Sequence, residues 1–362
     1  MDNTKNFSQT RRAFLGTSAA LAGMTILPLG VSSCKPAAPV APADGKPLSN
    51  FGGVQIGAIT YSWRDQPAGL ENIIKYCVES GINSVELMSG DLEDYLGAPK
   101  NPMQDAIRQW MQQQRAAAPP PAPSPATGAA PAAQRPRIQL PPELQAGVDS
   151  YNEAIKAWRL SVDMNKVASA RQLLADAGIE AHIVKFSPGN WEDDLIDYAF
   201  KVAKAMGAKG VTDEIGEEAV KKMAPVAERN GMYAIFHNHM QFAEPSFGYD
   251  PFIAVSEAVR FNFDMGHFFG STGIHPNEII RKYHDRIFSL HIKDKTGPSA
   301  KEPNANQVWG QGETPLADVL LLLKQEQWPI YCDIELEYPV APWSTSVKEV
   351  RTCVQYARNI LI

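Results

Sequence analysis

The chain has 362 residues, of which 44% are hydrophobic and 20% are charged, and its formal net charge is -6. This apolar content supports a sizeable core and excludes global disorder, while the acidic balance argues against broad nucleic-acid binding, which needs a basic face. The four cysteines are too few for a disulfide scaffold. The 28 prolines are unevenly distributed, which indicates separate soft segments.

Residues 1–33 have the pattern of an export signal. Thr10-Arg11-Arg12-Ala13-Phe14-Leu15 is a twin-arginine pattern, and the apolar run that follows it, 19–31, is shorter than the roughly 20 residues that a membrane-spanning helix needs. The run ends at Val31-Ser32-Ser33-Cys34, which resembles a bacterial lipoprotein box with Cys34 as the lipidated residue. We therefore predict export by the twin-arginine route and a periplasmic or cell-envelope lipoprotein, anchored to the membrane at Cys34. Cleavage before Cys34 would change the net charge to -8, because it removes three basic residues and one acidic residue.

Residues 34–50 form a predicted tether between this anchor and a folded body, because they are rich in Ala and Pro and contain few large apolar residues. The other three cysteines lie within apolar helix or strand patterns and are expected to be buried thiols: Cys77, Cys332 and Cys353.

From residue 51 onward, short apolar runs alternate with amphipathic patterns, which is typical of a parallel sheet. The predicted strands are 55–61, 84–87, 181–185, 210–212, 233–237, 260–264, 287–291 and 330–335. The predicted helices are 70–79, 164–177, 191–206, 217–230, 251–259, 276–283, 315–325 and 347–360. Eight such units over about 310 residues predict an α/β fold, a single-domain (β/α)8 TIM barrel spanning 51–362. An open doubly wound sheet is the alternative, but the turn after the first strand lacks the glycines that such a sheet uses to bind its ligand.

A low-complexity insert is predicted at about 100–149, between the second strand and its helix. Its centre, 115–142, contains nine of the 28 prolines and too little apolar surface to order itself. In a barrel this loop emerges on the catalytic face, so it is either a lid or docking arm, or an idle insertion. Composition favours the idle insertion.

Four apolar strands end in a side chain that can bind a metal: His237, Asp264, His291 and Glu335. They are separated by 27, 27 and 44 residues, so that one recurs in each unit of about thirty residues and all four converge on the barrel axis. Two imidazoles and two carboxylates suit one divalent ion of Mn, Co, Fe, Ni or Zn, whereas Mg and Ca prefer oxygen ligands. The sequence therefore predicts a catalytic metal site at the carboxyl end of the barrel.

Several longer motifs follow the same strands. They are Val85-Glu86-Leu87, His237-Asn238-His239, Asp264-Met265-Gly266-His267, His291-Ile292-Lys293-Asp294, Trp309-Gly310-Gln311-Gly312 and Ile334-Glu335-Leu336-Glu337. With these motifs, residues 51–362 resemble the xylose-isomerase-like barrel family of sugar isomerases and epimerases, which includes inosose dehydratase and ketose epimerases. The resemblance implies that the four strand-end residues hold one metal and that His267 contacts substrate. It also implies that the segment 309–312 borders the site.

One position departs from the family pattern. Ketose epimerases of this family usually have Glu where this chain has His237, which removes one candidate base. Glu335 is then the predicted base, Lys185 and His239 are candidates for proton delivery to the opposite face, and His267 and Lys293 would steady a developing alkoxide. Further candidates for substrate contacts are Glu86, Glu214, Trp309 and Glu337.

The predicted function is that of a metal-dependent sugar isomerase or epimerase, which abstracts a proton α to the carbonyl of an unphosphorylated sugar or keto-sugar. Sugar phosphates are mainly cytoplasmic, and no Gly-rich phosphate loop is evident. One alternative is a lyase or dehydratase performing β-elimination on a keto-glycoside or keto-cyclitol. Another is a non-catalytic, metal-dependent sugar-binding lipoprotein. The family's resemblance to apurinic endonucleases carries little weight, because this acidic chain has too few ligands for three zinc ions and no basic groove. The partner is thus a small carbohydrate, with no nucleic acid, and the oligomeric state stays open.

Overall fold

The computed structural model describes residues 45–117 and 140–362. The predicted signal peptide, Cys34, most of the tether and the segment 118–139 lie outside the described residues. Among the helices of the described residues, none is long and apolar enough to cross a membrane.

Eight parallel strands form a closed barrel. The strands of the fold are β1 (Asn50–Phe51), β2 (Val54–Ile59), β3 (Ser84–Met88), β4 (Glu180–Lys185), β5 (Gly210–Glu214), β6 (Tyr233–His237), β7 (Val259–Asp264), β8 (Ile287–Ile292), β9 (Asp294–Lys295), β10 (Asn306–Gln307) and β11 (Tyr331–Ile334). The barrel closes because β11 pairs in parallel with both β8 and β2. The short β1 pairs antiparallel with β2, and β9 pairs antiparallel with β10. The predicted single-domain TIM barrel is confirmed.

Helices surround the barrel, and most of them bury an apolar face against it. They are α1 (Leu70–Ser80), α2 (Ser89–Leu96), α3 (Gln104–Ala117), α4 (Pro142–Arg159), α5 (Met164–Asp176), α6 (Asp193–Met206), α7 (Glu217–Asn230), α8 (Asp250–Ile253), α9 (Met265–Thr272), α10 (Asn277–Tyr283), α11 (Leu316–Glu326) and α12 (Ser346–Leu361). Short 3-10 helices cover Thr60–Trp63 and Gln241–Ala243. The three cysteines of the barrel are buried and free, as the sequence predicts.

Most predicted elements differ from the structure by one or two residues at an end, and one predicted helix is much shorter in the structure. Tyr61 belongs to the 3-10 helix after β2 rather than to the strand. The predicted helix 251–259 ends at Ile253, and Val259 already belongs to β7. Ser256 explains the early end, because its Oγ accepts the N–H of Ala258 at 2.9 Å and replaces a helical hydrogen bond.

The predicted insert at about 100–149 is largely helical in its described parts, since α3 and α4 begin or end within it. Helix α4 is fixed to α2 by Arg159, which makes a bidentate ion pair with Glu93 of α2 at 2.8 and 3.0 Å. Tyr198 of α6 donates to the same carboxylate at 2.9 Å, and the Arg159 guanidinium lies 4.0 Å from the centre of the Trp191 ring. Such bidentate pairs are among the stronger polar contacts in proteins.

Candidate functional site

The four predicted ligand residues meet at the carboxyl end of the barrel. The side chains of His237, Asp264, His291 and Glu335 are buried, and one ligand atom from each lies within 4.8 Å of the others. Parallel pairing causes this convergence, because Asp264 of β7 lies directly beside His291 of β8. Nδ1 of His291 lies 2.7 Å from Oε2 of Glu335, and Nε2 of His237 lies 3.8 Å from Oδ2 of Asp264.

The donor atoms of this group fit a divalent cation. His237 Nδ1 is buried without a hydrogen-bond partner in the described structure. Three more buried donor atoms of the group are held by charge: His291 Nδ1 lies 2.7 Å from Glu335 Oε2, and Lys293 Nζ lies between Asp264 Oδ2 and Glu335 Oε2. Two buried carboxylates that share one ammonium are incompletely neutralised, and a divalent cation would complete their neutralisation. Two nitrogen and two oxygen donors suit a transition metal or zinc.

Asp264 is held by two neighbouring contacts. Its Oδ1 caps α9 by accepting the N–H of His267 at 2.7 Å, and its own N–H donates to Oδ1 of Asn238 at 3.0 Å. Tyr249 donates its hydroxyl to the same Asn238 oxygen at 2.6 Å. The second carboxylate oxygen is thereby left to face the site. Asn238 and Tyr249 were missed by the sequence reasoning, and only the position of Asn238 between two histidines points to it.

Lys293 is buried among three carboxylates. Its Nζ lies 2.7 Å from Asp264 Oδ2, 2.6 Å from Glu335 Oε2 and 2.9 Å from Glu337 Oε2. Burial alone would lower the pKa of Lys293, but these carboxylates raise it, so the ammonium stays charged. Burial likewise opposes ionisation of Glu335, yet Lys293 and His291 hold the pKa of Glu335 well below its ordinary value.

His267 lies where the sequence predicts a substrate contact. Its Nε2 is 3.7 Å from Asp264 Oδ2 and 3.6 Å from Glu337 Oε2, and neither ring nitrogen has a hydrogen-bond partner within the described chain. Burial lowers the pKa of His267, although the charge of Asp264 opposes the shift. A neutral imidazole with both nitrogens free is equipped to bind a substrate hydroxyl.

Lys185 and His239 lie at the rim of the site and are joined by Glu214. Lys185 Nζ donates to one Glu214 oxygen at 2.9 Å, and His239 Nε2 donates to the other at 2.8 Å. Burial opposes the shift, but the hydrogen bond from His239 and the charge of Lys185 lower the pKa of Glu214 to about 2. Glu214 in turn raises the pKa of His239. The His239 ring centre is 4.9 Å from that of His237, so this rim faces the ligand residues.

Two of the predicted substrate contacts are buried in the structure. Glu86 is completely buried beside the candidate ligand residues, and its Oε2 lies 2.8 Å from Nε2 of His291. Trp309 is also buried, and its ring packs edge-on against Tyr356 of α12 at 5.8 Å. Their contact with a substrate stays a prediction.

The loop after β10 is positioned by Asp294, which the sequence reasoning gave no role. Its carboxylate accepts the N–H groups of Gly310 at 2.8 Å, Gly312 at 2.9 Å and Thr314 at 3.2 Å. A Cβ on Gly312 would clash with Oδ1 of Asp294, which explains the glycine at this position. The segment 309–312 is therefore fixed to β9, which follows the strand that supplies His291.

Comparison with known proteins identifies the fold family. Residues 74–355 match the family model of the xylose isomerase-like TIM barrel. No curated protein matches the sequence significantly. Among solved structures, a xylose isomerase domain protein from Alicyclobacillus acidocaldarius is 11% identical over 84% of this chain and 99% of its own, with a TM-score of 0.52. A probable 3-DHS dehydratase involved in petrobactin synthesis, from Bacillus anthracis, is 12% identical over 83% of this chain and 98% of its own, with a TM-score of 0.51.

These structural likenesses concern the fold, whereas the family model covers most of the chain. The closed eight-stranded barrel agrees with that match. The chain therefore belongs to the xylose isomerase-like TIM barrel family.

Proposed function

We propose that this protein is a divalent-metal-dependent isomerase or epimerase, which removes a proton from the carbon next to the carbonyl of an unphosphorylated sugar or keto-sugar. The observation that carries the proposal is the group of four buried residues whose donor atoms lie within 4.8 Å of one another at the carboxyl end of the barrel. Proteins of the same fold include one described as a xylose isomerase domain protein and one described as a probable dehydratase, which is compatible with such chemistry.

His237, Asp264, His291 and Glu335 would hold the ion. When bound, a divalent ion supplies Lewis acidity that polarises a substrate carbonyl. The protein's own part is to accept the proton, and Glu335 is the candidate, because its low pKa keeps the carboxylate ionised. Lys293 lies 2.6 Å from Glu335, and His267 lies 3.7 Å from Asp264; both would offer N–H donors to the oxygen on which negative charge develops.

Lys185 or His239, at the rim of the site, would return a proton to the opposite face of the substrate. Lys185 carries a proton that it can donate, because Glu86 and Glu214 raise its pKa against the effect of burial. His239 is half exposed and hydrogen-bonded to Glu214, which orients the imidazole. Either group would complete an epimerisation by protonating the carbon that lost its hydrogen, or an isomerisation by protonating the neighbouring carbon that carried the carbonyl.

A second candidate is β-elimination from a keto-glycoside or keto-cyclitol. It is favoured by the donor set, in which His237 takes the place of a carboxylate and one oxygen of Asp264 caps α9. Glu335 is then the candidate base of the set. Elimination needs one base and an acid for the leaving group, with no proton donor at carbon.

We further propose that the substrate is met outside the cytoplasm, because the twin-arginine pattern and the box at Cys34 are those of an exported lipoprotein. Cell fractionation tests this proposal. The wild-type protein is expected in the membrane fraction, and Cys34→Ala is expected to move it to the soluble periplasmic fraction. Recovery of the wild-type protein from the cytoplasm would refute the proposal.

Metal analysis of the purified protein and a screen of free ketoses and keto-glycosides in D₂O, followed by proton NMR, test the chemistry. Solvent deuterium in an intact sugar supports isomerisation or epimerisation, whereas a released aglycone supports elimination. Glu335→Gln and His237→Ala are expected to abolish turnover. His275→Ala is the matched control, because His275 is partly exposed and pairs with Asp318 at 3.3 Å on the outer helices.

Two results would refute the catalytic proposal. A protein that binds a sugar in the presence of metal but turns over none of the panel is a sugar-binding lipoprotein instead. A protein that turns over a substrate equally well after complete removal of divalent ions does not use the proposed site.

A further inference from the structure

The two ring nitrogens of His291 face different partners. Nδ1 lies among the metal-ligand atoms, 2.7 Å from Glu335 Oε2, while Nε2 lies 2.8 Å from Glu86 Oε2. A neutral imidazole carries one proton, and the nitrogen that binds a metal must be the unprotonated one. The partner of Nε2 therefore decides whether Nδ1 is available to an ion.

Glu86 is placed to fix this choice. It lies on β3, is completely buried, and points Oε2 towards both His291 and Asn262 of β7. Asn262 Nδ2 donates to this oxygen at 2.8 Å and lies 2.9 Å from His291 Nε2. If Nε2 carries the proton, both N–H groups point at Oε2 of Glu86, which accepts from each of them. Oε1 of Glu86 and Oδ1 of Asn262 have no hydrogen-bond partner in the described residues.

We propose that Glu86 is a positioning residue of the metal centre, which accepts the Nε2 proton of His291 and so leaves Nδ1 unprotonated and directed at the ion. The inference rests on the metal centre of the proposed function. Carboxylates that accept the second N–H of a ligand histidine fix its tautomer and ring orientation, and their loss typically weakens metal binding about 10- to 100-fold. Complete burial explains why Glu86 acts through His291 rather than on a substrate.

The barrel contains a natural control for this arrangement. His182 and Asp333 form a second buried carboxylate–imidazole pair, with Nε2 2.9 Å from Oδ2. The other nitrogen of His182 lies 2.9 Å from the Ser84 hydroxyl and belongs to no group of metal ligands in the described residues. Asp333→Asn thus disturbs a similar contact in the same interior, at a carboxylate that is hydrogen-bonded to His182 rather than to His291.

The experiment measures the affinity of metal-stripped protein for Zn²⁺ and Co²⁺ in the wild type, Glu86→Gln, Glu86→Ala and Asp333→Asn. We expect binding to weaken about tenfold in Glu86→Gln and up to about 100-fold in Glu86→Ala, with Asp333→Asn within about twofold of the wild type. The visible spectrum of bound Co²⁺ is the second readout, because it reports ligand geometry. It should change in both Glu86 variants and stay unchanged in Asp333→Asn.

The outcomes separate this inference from the proposed function. A wild-type protein that binds neither ion refutes the metal centre itself. Wild-type binding combined with unaltered affinity and spectrum in Glu86→Gln refutes only the role of Glu86. Equal weakening by Asp333→Asn also overturns that role, because the loss is then a general effect of disturbing the barrel interior. If Glu86→Ala does not fold, Glu86→Gln decides, since the amide keeps the size and shape of the side chain.

Discussion

Replacing Lys293 with Met tests whether its ammonium stabilises the buried carboxylates around it. The ammonium lies between 2.6 and 2.9 Å from Asp264, Glu335 and Glu337. With an effective dielectric constant of about 20, one such contact provides about 6 kcal/mol of attraction, which desolvation of the ions largely offsets. Removing one partner from a buried ion pair typically destabilises a protein by about 3–5 kcal/mol. We therefore expect the unfolding free energy of metal-free Lys293→Met to be lower than that of the wild type by this amount, and its melting temperature to be about 10 °C lower.

A divalent ion should reverse much of this loss. Because it binds at the same carboxylates, it replaces the missing positive charge, and binding to the folded state raises stability by mass action. The assay compares urea and thermal unfolding of wild type and variant, each in the presence of a chelator and of Mn²⁺. The gain on adding Mn²⁺ is expected to be larger in Lys293→Met than in the wild type.

Lys295→Met is the matched control. Lys295 is only 2% exposed, its Nζ donates to Asn306 Oδ1 at 2.7 Å, and it makes no ion pair with any carboxylate of the described chain. Burial lowers its pKa, as expected for an ammonium without a counter-charge. The Lys295→Met substitution should change the unfolding free energy by less than about 1 kcal/mol. It removes the hydrogen bond to Asn306, but it also removes the cost of burying the ammonium. The reasoning is refuted if both variants lose equal stability, or if Mn²⁺ stabilises Lys293→Met no more than the wild type.

Three further predictions concern the scaffold. Arg159→Leu should lower the unfolding free energy in urea by about 3–5 kcal/mol, because it leaves the buried Glu93 carboxylate without its cation, and a loss below about 1 kcal/mol would contradict this account. Gly312→Ala should lower it by about 1–3 kcal/mol through the clash with Asp294, whereas Gly216→Ala, where a Cβ meets open space, should change it little. Burial raises the pKa of all three barrel thiols, so iodoacetamide at neutral pH should label them only in urea, as peptide mass spectrometry would show: Cys77, Cys332 and Cys353. Labelling of any of them in the native protein would disprove their burial.

The metal-ligand group was predictable because barrel geometry leaves little freedom at the ends of parallel strands. A residue type that recurs once per strand–helix unit must return to the same end of the barrel. His237 and Asp264 end their strands as predicted, and His291 lies one residue before the end of β8. Spacing along the chain was therefore enough to bring these side chains together.

The role of Glu86 was not predictable, because it depends on contacts across the barrel interior. Its partner His291 is 205 residues away and Asn262 is 176 residues away. The sequence predicted that the second strand ends at Leu87, which puts Glu86 near the catalytic edge, but β3 continues to Met88. One additional residue moves Glu86 to the middle of the strand, where its side chain is enclosed.

The helices of the insert were missed for a different reason. From composition, residues at about 100–149 were predicted to form one low-complexity segment. The prolines of this segment are concentrated after residue 118, however, and α3 ends before them. The α3 sequence is rich in Gln, Ala and Arg, which are good helix formers. At the other end, Pro142 occupies the first position of α4, where proline is favoured. The composition of each flanking part, taken separately, distinguishes the two helices from the proline-rich centre.

The polar interior of the barrel is less evenly balanced towards its carboxyl end. Buried carboxylates and imidazoles are tolerated when they find partners, and His182 and Asp333, deep in the barrel, pair with one another at 2.9 Å. Towards the carboxyl end, both nitrogens of His267 have no hydrogen-bond partner within the described chain, and Asp264 Oδ2 and Glu335 Oε2 share the single ammonium of Lys293. An interior selected only for stability would not leave polar atoms of neighbouring side chains unsatisfied at one place. Such a conflict between local chemistry and stability is expected at a functional site, and its position agrees with the strand ends that spacing alone had indicated.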